Sequence, residues 1–233
     1  MSTLYTFGCS YTEGFKMVND NYIKYFEFLG DRIPKSWPEI LSEKLGCELK
    51  NYGEGASGNL QIFCEISKRC AEFEKDDIVI VQWSFMERYR IADDRGGWLK
   101  KGPGSQNEFN HQLNNDCHES IVINRTQKKY TEEIYDYEKI LDRLSKEVGF
   151  ELYYWTIINE LIYDLPKEIL NQKKYLLFDD IKDKHDNVFS IVLKNGGKWI
   201  FEETNDKIND SHMGELGHKI QSDLFYKHIM KYR

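Results

Sequence analysis

Asp77-Ile78-Val79-Ile80-Val81-Gln82-Trp83 decides the architecture. Its Ile-Val-Ile-Val centre has no polar residue at alternate positions, so both faces of the strand it forms must be covered. Strands covered on both faces belong to parallel sheets flanked by helices. Towards the N-terminus, Leu60, Phe63, Ile66, Cys70 and Phe73 recur at helical spacing. Residues 47–52 make a second short strand, which the flexible turn Gly53-Glu54-Gly55-Ala56-Ser57-Gly58-Asn59 breaks off. Before it, Ser36-Trp37-Pro38-Glu39 carries an S-x-x-E capping box with Pro in the first turn. Ile40, Leu41 and Leu45 follow on one face, with Gly46 as the stop. Residues 4–7 are a buried first strand that ends in Gly8-Cys9-Ser10, and a long aromatic loop is expected from there to about residue 35.

Towards the C-terminus, residues 85–128 are Gly-, Asn- and Gln-rich and read as a long, lid-like insertion. Residues 131–148 predict an amphipathic helix with Ile134, Tyr137, Leu141, Leu144 and Val148 in register, and residues 150–158 a further strand. Residues 159–207 have no clear period; 198–201 and 175–178 compete for a last short strand. Residues 213–232 close the chain as a helix expected to turn Leu216, Ile220, Leu224 and Ile229 inward. Alternating strands and helices in this order imply right-handed crossovers. The expected fold is one α/β domain over residues 1–233: a three-layer α/β/α, flavodoxin-like, doubly wound parallel sheet of about five strands. Its functional loops should gather at the C-terminal ends of the strands.

Composition narrows the function. The 233 residues hold 32 Lys+Arg against 39 Asp+Glu, a formal charge of −7, with 40% hydrophobic and 30% charged residues. That suits a globular chain with an ordinary core, and the acidic balance argues against a nucleic-acid or anionic-membrane partner. No window approaches the roughly 18 consecutive apolar residues of a membrane span, and no signal peptide is read at the N-terminus, so a cytoplasmic location is the default expectation. The five cysteines, Cys9, Cys47, Cys64, Cys70 and Cys117, include no CxxC pair and predict neither a disulfide framework nor a thiolate zinc site. His111, Cys117 and His118 have non-standard spacing for a metal and read as a solvated loop. The glycines at 53, 55 and 58 match neither phosphate-binding nor dinucleotide-binding spacing.

Four blocks carry chemistry. They are Gly8-Cys9-Ser10-Tyr11-Thr12 after the first strand, Asn51 through Asn59 after the second, Gln82-Trp83-Ser84 after the third, and Asp210-Ser211-His212 before the last helix. In this order the chain resembles the SGNH (GDSL-like) hydrolase superfamily, in scattered blocks from residue 4 to about 225. Residues 210–218 are similar to that family's closing D-x-H-P-x-x-x-G-H variant, with Met213 in place of Pro. The resemblance implies Ser10 as nucleophile, His212 as base and Asp210 as its acidic partner. It also implies oxyanion donors from the second and third blocks: Gly55 or Ala56, and Ser84. The chain departs from the family in having Cys9 where the first block commonly has Asp, Ser84 where the third block has Asn, and Asp210 two residues before His212 where many members keep three.

A serine hydroxyl is a weak nucleophile at neutral pH. It needs an imidazole to accept its proton and a carboxylate to fix the ring tautomer. Asn59 and Arg88 are expected to contact substrate. The aromatic and basic run from Trp83 to Arg90, with Trp98, is expected either to bind a sugar or acyl substituent or to pack as a lid. Asp210 as a helix cap, and His218 as a solvated or helix-face histidine, are the structural alternatives weighed at those positions. The expected activity is a serine esterase that removes a short acyl group, such as acetyl, from an oxygen of a small molecule or glycan, with no metal or organic cofactor required. An O-acyltransferase, and a binding or assembly module with a degraded site, stay open as alternatives. The sequence leaves the oligomeric state open.

Overall fold

The computed structural model describes residues 2–16, 19–85, 89–92, 98–101, 127–157, 173–177, 180–181 and 186–233. In chain order the elements are β1 (Thr3–Gly8), α1 (Ser10–Glu13), α2 (Asp20–Phe28), α3 (Trp37–Leu45), β2 (Glu48–Gly53), α4 (Asn59–Arg69), β3 (Ile78–Trp83), β4 (Tyr89–Ala92), β5 (Trp98–Lys101), α5 (Gln127–Val148), β6 (Glu151–Thr156), α6 (Val188–Lys194), α7 (Ile200–Glu203) and α8 (Glu215–Tyr232). The main sheet runs β2-β1-β3-β6, every pair parallel. β4 and β5 form a separate antiparallel pair. Among the described residues four strands pair in the main sheet, against an expectation of about five. The next place, beside β6, is a parallel bridge between Tyr154 and Tyr175.

Alternation along the strands sorts side chains into two cores. Tyr5, Phe7, Val79, Val81, Leu152 and Tyr154 face α4 and α5, where Ile62, Ile66, Ile134 and Leu141 meet them. Leu4, Ile78, Ile80, Tyr153 and Trp155 face the other way, against Trp37 and Leu41 of α3, Val188 and Val192 of α6, and Phe225 and Ile229 of α8. β3 is buried along its whole length, as its apolar run requires. The chain order of the sheet reverses at β1, between β2 and β3, which is where such sheets form their clefts.

α3 starts as its capping box predicts: the Glu39 carboxylate accepts the Ser36 backbone N–H at 2.7 Å and the Ser36 hydroxyl at 2.6 Å. It stops at Gly46, whose φ of 67° is left-handed.

Three expectations change. The stretch read as a loop to residue 35 contains α1 and α2; Asn19 caps α2 by accepting the Tyr22 N–H at 2.8 Å, and Tyr22 and Tyr25 are buried. Aromatic residues on a short helix lack the aliphatic spacing that marks the longer ones. Residues 198–201 are not a strand. Trp199 makes a single antiparallel bridge to Met213, and α7 begins at Ile200. α8 turns its expected face inward in part: Ile229 is buried and Ile220 and Leu224 pack half-buried on the core, but Leu216 is exposed, and Gly217, His218, Gln221, Ser222, Phe225 and His228 are buried as well. Where this face meets α3 and the loop before α8, His218 accepts the Trp37 N–H, and a Cβ on Gly217 would lie 2.8 Å from the Lys198 carbonyl oxygen, so only glycine fits there. Among the described residues, no helix is long and apolar enough to cross a membrane. Arg88, His111, Cys117, His118 and most of the expected insertion lie outside the described residues.

Candidate active site

β1 ends at Gly8, and the chain turns at once into α1. Cys9 is its extended N-cap residue, and its carbonyl accepts the N–H groups of Thr12 and Glu13, both at 2.9 Å. Ser10 is therefore the first residue of a tight turn at the C-terminal edge of the sheet. A Cβ on Gly8 would lie 2.3 Å from the Thr12 hydroxyl and 2.5 Å from the Gln82 side-chain oxygen, so the turn closes this tightly only around glycine.

The loop before α8 approaches from the other end of the chain. It is held by backbone hydrogen bonds from Ile200 N–H to the His212 carbonyl (2.9 Å), Phe201 N–H to the Asp210 carbonyl (3.2 Å) and Gly214 N–H to the Lys198 carbonyl (2.9 Å). This grip puts His212 Nε2 3.1 Å from Ser10 Oγ, across 202 positions of sequence, and His212 Nδ1 2.7 Å from Asp210 Oδ1.

Asp210 is buried. Burial alone would raise its carboxyl pKa, but hydrogen bonds from the His212 ring and backbone, and from Asn21 of α2, hold it below the usual carboxylate range. An ionised carboxylate only accepts, so the proton on Nδ1 is fixed, and Nε2 is left to accept the Ser10 hydroxyl proton. Two aromatic rings steady the imidazole, Tyr11 with its centroid 5.0 Å away and Tyr22 at 5.8 Å. From Tyr11 the rings continue to Phe189 (4.6 Å) and on to Trp199 (5.3 Å).

The β2–α4 loop lies alongside. Glu54 N–H donates to the Gly8 carbonyl at 3.0 Å, and Ser57 N–H closes a turn onto the Glu54 carbonyl at 3.2 Å. Ala56, third in that turn, has φ +59°, a left-handed position that favours glycine.

The Asn59 side chain is used within the protein. Asn59 Oδ1 accepts the Ser84 N–H at 2.6 Å, while its Nδ2 donates to the Ser84 carbonyl (3.2 Å) and the Tyr130 hydroxyl (2.7 Å). Both ends of that amide are occupied within the protein, so Asn59 fastens the end of β3 to α4 rather than facing a substrate. Tyr130 also donates to the Ser84 carbonyl, and Ser84 is fully buried under this clamp. Trp83 is buried too. Its indole N–H donates to Glu138 at 2.8 Å and its ring packs on Tyr137 and Tyr154, which removes it from the expected substrate surface.

His218, weighed in the sequence as a solvated or helix-face histidine, is not solvated. It is a buried core histidine whose Nδ1 accepts the Trp37 backbone N–H at 3.2 Å, and burial, with the nearby His212, lowers its pKa to about 3. Trp37 Nε1 in turn donates to the Tyr11 carbonyl at 2.9 Å. α8, α3 and the turn that carries Ser10 are thus joined through one tryptophan. No local pattern marks such a residue, because its partners are long-range.

The fold and the site together define an α/β/α protein with a Ser-His-Asp line at the switch point of its sheet. Its fold is that of G-D-S-L lipolytic proteins. A putative lipolytic protein of the G-D-S-L family from Desulfitobacterium hafniense DCB-2 matches with a TM-score of 0.52 and 11% identity, over 98% of this chain and 99% of that one. A member of the lipolytic protein G-D-S-L family from Veillonella parvula DSM 2008 covers 96% of both chains at 12% identity and a TM-score of 0.41. At such identities the likeness is one of fold. No protein-family model matches the chain, and no curated protein does.

Proposed function

We propose that the protein is a serine esterase that cleaves a short O-linked acyl group, such as acetyl, from a small molecule or glycan. One observation carries this reading: the continuous hydrogen-bond line from Ser10 Oγ through His212 to Asp210.

In the first half-reaction Ser10 Oγ attacks the ester carbonyl carbon, and its proton passes to His212 Nε2. The tetrahedral oxyanion is met by the backbone N–H of Ser10 and by that of Ala56 in the second-block turn. The intermediate collapses as the carbon–oxygen bond to the alcohol breaks, and His212 returns the proton to the leaving oxygen. Water then attacks the acyl-Ser10 ester, with His212 again taking and returning a proton, and the carboxylic acid leaves. Asp210 stays ionised throughout and stabilises the imidazolium. The half-buried Tyr11 ring beside His212, backed by Phe189, favours an ester with an apolar or sugar-ring face.

The test is hydrolysis of p-nitrophenyl acetate together with labelling by a fluorophosphonate, followed by peptide mapping. The expected result is turnover with the label on Ser10, and loss of both in Ser10→Ala and His212→Ala. Equal turnover in wild type and Ser10→Ala overturns the reading. Addition of acceptor alcohols separates hydrolysis from acyl transfer by the products formed.

A further inference from the structure

Gln82 is the penultimate residue of β3 and is completely buried. A buried amide is costly unless its polar atoms are matched. Here they are matched by one segment of chain. Gln82 Oε1 accepts the Cys9 backbone N–H at 3.2 Å and the Thr12 hydroxyl at 2.5 Å, and Nε2 donates to Cys9 Sγ at 3.2 Å. The Cys9 N–H can only donate, so the oxygen end of the amide is the end that faces it. The two residues bound to that oxygen, Cys9 and Thr12, bracket Ser10. On the opposite side, Asn51 of β2 donates to the Thr12 carbonyl at 2.9 Å and accepts the Gly53 N–H at 2.9 Å. The nucleophile turn is therefore held between two strand amides, and the missing Cβ of Gly8 lets Gln82 come close enough.

We infer that Gln82 is a positioning residue for the esterase reaction: through Cys9 and Thr12 it sets the place of Ser10 Oγ against His212 and the direction of the Ser10 N–H. The Gln82 side chain hydrogen-bonds Cys9 and Thr12, on either side of Ser10, so its effect is transmitted through the turn. A misplacement of about 1 Å in such a turn is enough to slow the reaction ~100-fold. The inference rests on the esterase reading above.

The test compares wild type with Gln82→Met, which keeps length and apolar volume but removes all three hydrogen bonds, and with Thr12→Val, which removes one of them without changing shape. p-Nitrophenyl acetate kinetics and the rate of fluorophosphonate labelling are measured on proteins shown to be folded by circular dichroism. Gln82→Met should lower kcat about 10- to 100-fold with KM within about threefold, and slow labelling in parallel. Thr12→Val should lower kcat by less, and it should add almost nothing in the Gln82→Met background, because both remove the same bond. A folded Gln82→Met with wild-type kcat overturns the inference, and so does a rise in KM at constant kcat. Where Gln82→Met fails to fold, wild-type kcat in Thr12→Val overturns it. A wild type that neither turns over nor labels overturns the esterase reading and this inference with it, whereas an active wild type matched by its variants overturns this inference alone.

Discussion

Asp210 and His212 are two residues apart in sequence, and a single oxygen of the aspartate holds the histidine twice: Oδ1 accepts the His212 backbone N–H at 2.8 Å and the ring Nδ1–H at 2.7 Å. A side chain that accepts from the backbone two residues on forms a compact turn. The two-residue spacing, a departure from the commoner family pattern, is therefore sufficient for the ring to reach Ser10 while its orientation stays fixed.

Asp210→Asn should keep that turn, because the amide oxygen can accept both hydrogens, but it loses the charge that steadies the imidazolium. The expected fall in kcat is about 100- to 1000-fold, smaller than the ~10,000-fold loss seen where such a change also flips the tautomer. Asp210→Ala removes the turn as well and should fall further. Steady-state hydrolysis of p-nitrophenyl acetate by the two variants checks the order, and equal losses would contradict it.

His218 should give the protein an acid-sensitive limb. Burial, with the nearby His212, holds its folded pKa at about 3, against an ordinary value of 6.5. Between those values the unfolded chain binds a proton that the folded chain does not, so stability falls as pH drops through this window, by up to about 1.4 kcal/mol per pH unit. His218→Asn keeps an acceptor for the Trp37 N–H but cannot titrate. Urea unfolding from pH 7 to pH 4 should show a slope reduced by about one proton, even if the variant is less stable overall. An unchanged slope would sink the assignment.

Glu138 has the opposite sign. It is buried and receives hydrogen bonds from Trp83 and Tyr175 at one oxygen; desolvation, opposed by those bonds, raises its pKa to about 7. The folded state then favours the protonated acid, so the stability Glu138 contributes is full below about pH 4.5 and is lost as pH rises through about 7. Glu138→Gln, whose side-chain oxygen accepts the same two donors, should match wild type near pH 5. By pH 8 it should be more stable by roughly 2–3 kcal/mol. Thermal or urea unfolding at the two pH values reads this directly, and a difference independent of pH would refute it.

Ala56 holds a left-handed backbone that costs a residue with a Cβ about 1 kcal/mol. Ala56→Gly relieves that strain while freeing the unfolded chain, so stability should change by less than about 1 kcal/mol. The N–H remains, and kcat should stay within about threefold if Ala56 serves through its backbone. Ala56→Pro, which removes the N–H and cannot adopt positive φ, should abolish turnover. A fully active Ala56→Pro would eliminate this turn as an oxyanion donor.

Much of this was legible because its cause is local. The apolar run of β3 announces burial on both faces. The capping box at Ser36 and the stop at Gly46 are complete within a dozen residues. The four blocks mark, by chemistry and order, the turns that meet at one sheet edge. What could not be read depends on partners far along the chain. α2 is held by aromatic side chains packing on Phe15 and Ile200, and the inward face of α8 is chosen by α3 and the loop before it.

The sequence by itself determined the alternation of strands and helices, and with it a parallel sheet whose loops share an edge, since periodicity and turn chemistry act over a few residues. It also named Ser10, Asp210 and His212. Tertiary structure alone decided that Nε2 and Oγ come within 3.1 Å, that the Asn59 amide is spent on Ser84, that His218 is a core residue, and that Gln82 holds the nucleophile turn. The reason is physical: a hydrogen bond between groups dozens to hundreds of positions apart exists only once the sheet has set their distance.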